Sequence, residues 1–403
     1  MKRMKKWIAM LLAGGMTLGT VGCAIAPPQV DNAHSSDSEE KIANADDSIE
    51  EYQALITSNQ QGRTIALLSG DIYNFADNYT KFCGKDYAIG DFKVDRYAPK
   101  PLKLTWQNQR EGALYYTVKI GTDKSLSDAD SYLVTENFVE IEYLYAAKQY
   151  YYQIYAHYEN DEVLKSRVFD FRTADLPRTV HIEGVSNTRD LGGRLTVDGT
   201  HRVKQGMIYR GGEVDKSWGA ITEEGKRVMV HELGIKTDLD LRDHITLTQS
   251  PIDASLNYVN VSAPYYIGGD GINSADYKDA LITEVRTFAN PDNYPVYLHC
   301  SLGRDRAGTL AFLISALLGV GELDLYRDYE MSFFSVNGWA DASQGAGKFD
   351  ELVPQAFTNL YNYIKNYGNG TLAENTEAFM KNYLGITQAE IDTIRNVMLE
   401  EVS

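Results

Sequence analysis

The stretch from Val296 to Leu318 restricts the fold of this chain more than any other. Val296 to Leu298 is a short apolar run of strand length, and Arg306 to Leu318 is apolar around the whole circumference of a helix. A helix of that kind must be buried on every side, and Gly319 is a natural stop for it. A buried strand passing through a polar loop into a buried helix requires a sheet with helices packed on its faces. The preceding sequence agrees. "MIYRGGEVD" (207–215) reads as a strand ending in a glycine turn, and Thr222 can cap a helix through "TEEGKRVMVHEL". Glu223 and Glu224 favour the first turn of that helix, Gly234 ends it, and "IKTDLDLRD" (235–243) alternates as a strand. Near the end Thr387 and Glu390 form a capping box for a helix carrying Ile391, Ile394 and Val397.

The loop in the opening stretch holds Cys300, Ser301, Leu302, Gly303, Arg304, Asp305 and Arg306. A loop that feeds a helix N-terminus turns backbone N–H groups inward, and the helix dipole adds partial positive charge. Arg306 can fork onto two oxygens of a phosphoryl group. The same field favours thiolate over thiol, the form in which cysteine is a nucleophile. The residues therefore point to in-line attack by Cys300 on phosphorus, giving a cysteinyl-phosphate that water hydrolyses. The loop amides and Arg306 would hold the equatorial oxygens through both steps. His299 is expected to orient the loop. No His/Cys/Asp cluster has metal-ligand spacing, and the chemistry needs neither metal nor cofactor.

"HCSLGRDRAGT" resembles the phosphate loop of cysteine-dependent tyrosine phosphatases, most closely the bacterial tyrosine/serine branch with HC-x-x-G-K-D-R-T-G. "GVSNTRDLGG" (184–193), "GMIYRGGEVD" (206–215) and "LGIKTDLDLRD" (233–243) resemble three further stretches of that branch, in order. The resemblance implies an α/β cysteine-phosphatase domain over residues 178–401, with Cys300 and Arg306 catalytic and residues 301–305 binding phosphate. It also offers Asp305 as proton donor; a purely structural role for Asp305 is the alternative, and Asp243 and Asp270 are weaker candidates. Arg210 and Arg242, each ending an apolar segment, are expected to bind substrate; Arg189 and Asp190 are expected to support the site, paired with neighbouring charges. Four positions depart from the branch. Thr188 replaces an aromatic, Gly211 a serine, Arg304 a lysine, and Ala307 the hydroxyl that in the family is thought to ease thiolate departure. A slow second step is expected unless Ser301 or Thr309 substitutes.

Upstream the pattern is different. "LKLTW" (102–106), "LYYTVKIG" (114–121), "VEIEYL" (139–144), "YYYQIYAHY" (150–158) and "SRVFDFRTA" (166–174) alternate at period two between turn-like segments. This layout, with Trp106 early and a tyrosine-rich late strand, resembles a fibronectin type III sandwich over residues 96–175. "RTADLPRT" (172–179) reads as a linker, because Pro177 disfavours helix before it. Residues 49–95 show no clear period beyond a short helix suggested by "SIEEYQALI".

The chain opens with a basic start (Lys2, Arg3, Lys5, Lys6), an apolar core of about a dozen residues and a small-residue end, the three parts of an export signal over residues 1–22. The core falls short of the ~20 residues of a membrane span. Gly22-Cys23 resembles the lipobox of bacterial lipoproteins, with Thr20 in place of the usual leucine, which implies a lipid anchor at Cys23. Residues 23–48 are acidic and poor in large apolar residues, hence a disordered tether. Of the three cysteines, Cys83 and Cys300 fall in different regions, so a disulfide framework is not expected. A net charge of -17 argues against binding nucleic acid.

The fold class expected is multidomain, an antiparallel β-sandwich followed by an α/β phosphatase domain. The function expected is phosphomonoester hydrolysis by an exported, lipid-anchored protein on the outer face of a bacterial membrane. Its substrate would be a phosphorylated protein, bearing phosphotyrosine or also phosphoserine, with a phosphoinositide or inositol phosphate as one alternative. A surface protein that recognises phosphate without turnover is the other, and the sandwich would be free to bind a surface partner.

Overall fold

The computed structural model describes residues 55–68, 70–79, 99, 101–216, 219–335 and 353–402. The expected signal segment, the tether, Cys23 and Cys83 lie outside the described residues. The described residues divide into two compact units: 55–64 with Leu102–Ile141 and Gln149–Arg172, and the remainder.

The first unit is built from two antiparallel sheets. One orders β1 (Ile56–Ser58), β3 (Leu102–Asn108) and β6 (Phe138–Ile141). The other orders β2 (Arg63–Ile65), β9 (Phe169–Thr173), β7 (Gln149–His157), β4 (Tyr115–Gly121) and β5 (Asp130–Val134), with β8 (Val163–Lys165) also on β7. Period-two alternation is the reason these segments are strands: Leu102, Leu104 and Trp106 are buried along β3, while Tyr150, Tyr152, Ile154 and Ala156 are buried along β7. Side chains of the two sheets meet, with Trp106 edge-on to Tyr116 at 5.2 Å and the Tyr152 hydroxyl donating to Ser58 Oγ at 2.6 Å. The alternation did not single out β5 and β8, and Ile56 opens a strand where a helix was expected.

The chain crosses between the two units more than once. Residues 142–148 belong to the second unit. There Arg178, only 3% exposed, donates from Nε to Leu144 O and from its terminal nitrogens to Tyr143 O and Asp190.

The second unit centres on a five-stranded sheet in the order β10 (Arg189–Asp190), β12 (Ile208–Gly211), β17 (Val296–His299), β15 (Thr237–Asp240), β16 (Asn257–Asn260). The last four are mutually parallel and β10 is antiparallel. Small pairs β11 (His201–Val203) with β18 (Leu399–Glu401), and β13 (Asp215–Lys216) with β14 (Gly219–Ala220), lie outside it. The helices are α1 (Gly70–Asp77), α2 (Glu223–Arg227), α3 (Lys278–Phe288), α4 (Arg306–Leu317), α5 (Glu322–Met331), α6 (Val353–Lys365), α7 (Leu372–Phe379) and α8 (Gln388–Met398). Thr222 caps α2 through the Gly225 N–H, and α2 continues as a wider π-type turn over Val228–Glu232. The capping box of Thr387 and Glu390 is present at α8. Every residue from Ala307 to Leu317 is buried, so α4 is the central helix and β17 the central strand. The step between them therefore lies at the carboxyl edge of the sheet, where α/β folds bind ligands.

Candidate active site

Cys300 follows the last residue of β17 and is a free, buried thiol, 3% exposed. From Ser301 to Asp305 the backbone carbonyls all point away from the loop's interior into the scaffold. Ser301 O accepts from Glu213 N at 3.1 Å, Leu302 O from Asn187 Nδ2 at 2.9 Å and Gly303 O from Arg210 at 2.5 Å. Arg304 O accepts from Arg210 at 3.2 Å, and Asp305 O from Thr309 N at 2.8 Å. Among the described residues, the amide hydrogens of Ser301, Leu302, Gly303 and Asp305 donate to no protein group. A loop whose carbonyls are outward and bonded presents its N–H groups inward, a nest for an anion. The N-terminus of α4 adds to it, since no side chain caps that helix. Gly303 is required for the turn: its φ is +69°, and a Cβ there would lie 2.3 Å from Gly211 O.

Arg306 opens α4 with its side chain 22% exposed. Its guanidinium pairs with Asp243 and lies 5.6 Å from the centre of the Tyr265 ring. Its buried Nε has no partner among the described residues, which leaves one edge of the fork available to a ligand. Asp305 carries its carboxylate 31% exposed. Oδ1 accepts from Arg304 Nε at 3.0 Å and Tyr266 Oη at 2.7 Å, and Oδ2 from Arg304 at 3.2 Å.

Several expected substrate ligands are placed elsewhere. Arg210 is fully buried, bonding Asp328 at 2.5 Å and the two loop carbonyls, so it shapes the loop and does not reach its interior. Arg242 is buried against Asp240, Glu213 and Asp215. Arg304 is buried too, its guanidinium on Asp305 and 5.4 Å from the Phe333 ring. In each case a carboxylate at salt-bridge distance offsets the cost of burying the charge. Arg189 pairs with Asp328, not with its neighbour Asp190, whose partner is Arg178. Asp190 also accepts from Gly192 N and Gly206 N, which fixes the backbone beside β10. Of the alternative acids, Asp243 is committed to Arg306 and Ser262, while Asp270 is exposed beside the hydroxyls of Tyr265 and Tyr277.

His299 is fully buried with Nε2 3.0 Å from Asp238, an ion pair off the hydrogen-bond direction, and its ring stacks on Tyr297. Burial pushes its pKa down, but Asp238 and then Asp240 outweigh this and raise it above the ordinary histidine value. Thr309 cannot take over from the missing hydroxyl at Ala307: its Oγ1 donates to Asp305 O and accepts from Tyr266 N. Ser301, half-buried at the loop, is the remaining candidate.

Sequence reasoning missed Asp328, Asn187 and Tyr266. Asp328 on α5 accepts from Arg189, Arg194 and Arg210. Burial favours its protonation, yet the three guanidiniums hold it well below the usual carboxylate range. Its partners lie 118 to 139 positions away, so no local pattern marks it. Asn187, which holds Leu302 O, sits at φ +59°, a region that asparagine tolerates; a conspicuous asparagine in the matched stretch was the available signal. Among the described residues no group of three or more His, Cys, Asp or Glu could hold a metal ion.

Comparison with known proteins follows the same lines. Residues 180–400, more than half of the 403, match the family described as Tyrosine phosphatase family. A provisionally named tyrosine-protein phosphatase of Cupriavidus necator is 29% identical over 170 residues, covering 36% of this chain and 59% of its own length. The chain thus spans under two thirds of that relative. Among solved structures, the core catalytic domain of the PP-IP phosphatase SIW14 from S. cerevisiae in complex with citrate has a TM-score of 0.27 and 16% identity. The alignment covers 44% of this chain and 88% of that one. A second Siw14 catalytic core gives 0.29 and 14%, over 51% and 96%. Likenesses of that size have no bearing on substrate.

Proposed function

This chain belongs to the tyrosine phosphatase family and is an enzyme of the cysteine-dependent phosphatase type; from that premise we propose that it hydrolyses phosphotyrosine in proteins through a cysteinyl-phosphate. The observation that carries the reading is the loop from Cys300 to Arg306, whose outward carbonyls are all bonded and whose amides face inward beneath an uncapped helix. A phosphoryl group seated there meets Cys300 in line. Its equatorial oxygens take the amides and Arg306, donors already aimed where charge develops. The Cys300 thiolate bonds to phosphorus as the ester oxygen leaves with a proton from Asp305. Water then attacks phosphorus, giving up a proton to the same carboxylate and releasing the thiolate.

Phosphotyrosine is favoured over phosphoinositides by the charges around the site. Arg189, Arg210 and Arg242, which would have drawn a polyanion, are spent on buried carboxylates. The charges that remain accessible nearby are Arg306, already paired with Asp243, and the carboxylates of Asp305 and Asp270, with Tyr265 beside Arg306. Acidic groups repel additional phosphates, and an aryl ring can lie against a tyrosine. The name of the Cupriavidus relative supports the same reading.

The decisive experiment compares wild type with Cys300→Ser on an aryl phosphate, tyrosine phosphopeptides and phosphoinositides. Turnover by wild type, abolished in the variant and greatest on the phosphopeptides, is expected; undiminished turnover in the variant would sink the mechanism. Export with acylation of Cys23 and a fibronectin type III character for the first unit belong to this proposal. The signal-like pattern of residues 1–22 and the two antiparallel sheets support them. Labelling of wild type but not of Cys23→Ala by a fatty-acid probe would check the anchor.

A further inference from the structure

Tyr266 lies in the loop between β16 and α3, inside the family match but outside the four stretches that carry the resemblance. It is 9% exposed and holds φ at +56°, a left-handed conformation that a tyrosine keeps only where its surroundings over-determine it. Those surroundings converge on one place. Its N–H donates to Thr309 Oγ1 at 2.9 Å, and Thr309 Oγ1 in turn donates to Asp305 O at 3.0 Å. Its hydroxyl contacts Asp305 Oδ1 and Tyr329 Oη, each at 2.7 Å. One residue from outside the phosphate loop thereby grips both the backbone and the carboxylate of Asp305.

We propose that Tyr266, backed by Tyr329, is a positioning residue that aims the Asp305 carboxylate for proton transfer to the leaving oxygen. The argument rests on the assignment of Asp305 as the proton donor. With Tyr266 Oη and Arg304 Nε both on Oδ1, the lone pairs of that oxygen are in use. A proton carried by Asp305 therefore sits on Oδ2, the oxygen bearing the single, longer contact to Arg304. Arg304 is adjacent in the chain and moves with the loop, so the direction of Oδ2 relative to the sheet is set by Tyr266. Tyr329 donates to Tyr266 as Tyr266 donates to Asp305, a chain running from α5 to the loop. Burial, then Tyr329 and Asp305, push the Tyr266 phenol far above its usual pKa, so it remains a donor wherever the enzyme is folded.

Tyr266→Phe removes only the hydroxyl and keeps the ring against Tyr329. Proton donation limits a phosphotyrosine or alkyl leaving group and hardly matters for an activated aryl phosphate. The variant is therefore expected to lose about ten-fold in kcat on the phosphopeptide and less than about two-fold on the activated ester, at similar KM. Tyr329→Phe, one step further back, should show the same selectivity with a loss of roughly two- to three-fold, and it stands in if Tyr266→Phe does not fold. Equal losses on the two substrates, or none on either, would overturn the proposal while Cys300→Ser stays inactive. Activity surviving in Cys300→Ser would instead bring down the phosphatase reading on which it rests.

Discussion

The interior of the first unit is apolar and aromatic, whereas the second unit adds to its apolar core a buried ionic cluster that holds the phosphate loop. Leu104, Val118, Tyr152, Ile154 and Phe171 fill the one; Arg189, Arg194 and Arg210 around Asp328 form the cluster in the other. Burial of apolar surface is non-directional, so the first unit spreads its stability over many side chains. The ionic interior concentrates it: three buried cations answer to one carboxylate, and one of them also holds two carbonyls of the phosphate loop. That network positions the loop precisely where chemistry needs fixed dipoles, at the cost of depending on a single residue.

The largest expected effect breaks the network. Asp328→Asn leaves three guanidiniums without their counter-charge and should cost roughly 3–5 kcal/mol, with loss of turnover as Arg210 releases the loop. Denaturant unfolding and aryl phosphate hydrolysis measure both; a change under about 1 kcal/mol would mean the cations do not depend on Asp328. The sign of its pH dependence is fixed, because the folded state holds this carboxylate below its unfolded value. Its contribution is present in full above about pH 4 and is lost as acid titrates it.

Trp106→Ala in the sandwich should cost a comparable amount, roughly 3–5 kcal/mol, because a large buried ring is removed. Here, however, kcat below the unfolding transition should match wild type. A fall in kcat with the sandwich still folded would erase the contrast between the two regions.

The smallest effect sharpens the comparison with a buried carboxyl group that has no ion-pair partner among the described residues. Glu284 on α3 is buried, its Oε1 has no hydrogen-bond partner among the described residues, and burial raises its pKa well above the usual value. The folded state then retains a proton that the unfolded chain releases, so stability falls as pH rises above about 4.3. Glu284→Gln should therefore stabilise the protein by roughly 1–3 kcal/mol at pH 7, with the gain fading as pH approaches 4. Thermal unfolding of both proteins at the two pH values tests this, and an equal gain at both would refute it.

The residues that could be read in advance share one property, that their role is set by near neighbours. The strand before Cys300, the buried circumference of α4, the cap at Thr222 and the box at Thr387 are local arrangements. So is the alternation of β3, β4 and β7. β8 spans too few residues for the period to register, and β5 buries a single position, so its alternation is weak. The arginines were visible as charges, but whether a guanidinium faces a ligand or a buried carboxylate depends on residues far away in the chain.

By itself, then, the sequence determined that a cysteine and an arginine frame a turn between a buried strand and a buried helix, because periodicity and spacing act over a few residues. Only the tertiary structure decided which charges remain at the site. Asp328 gathers Arg189, Arg194 and Arg210 across more than a hundred positions, and Tyr266 reaches Asp305 across 39. Electrostatic partnership is a matter of distance in space, and folding brings those groups together.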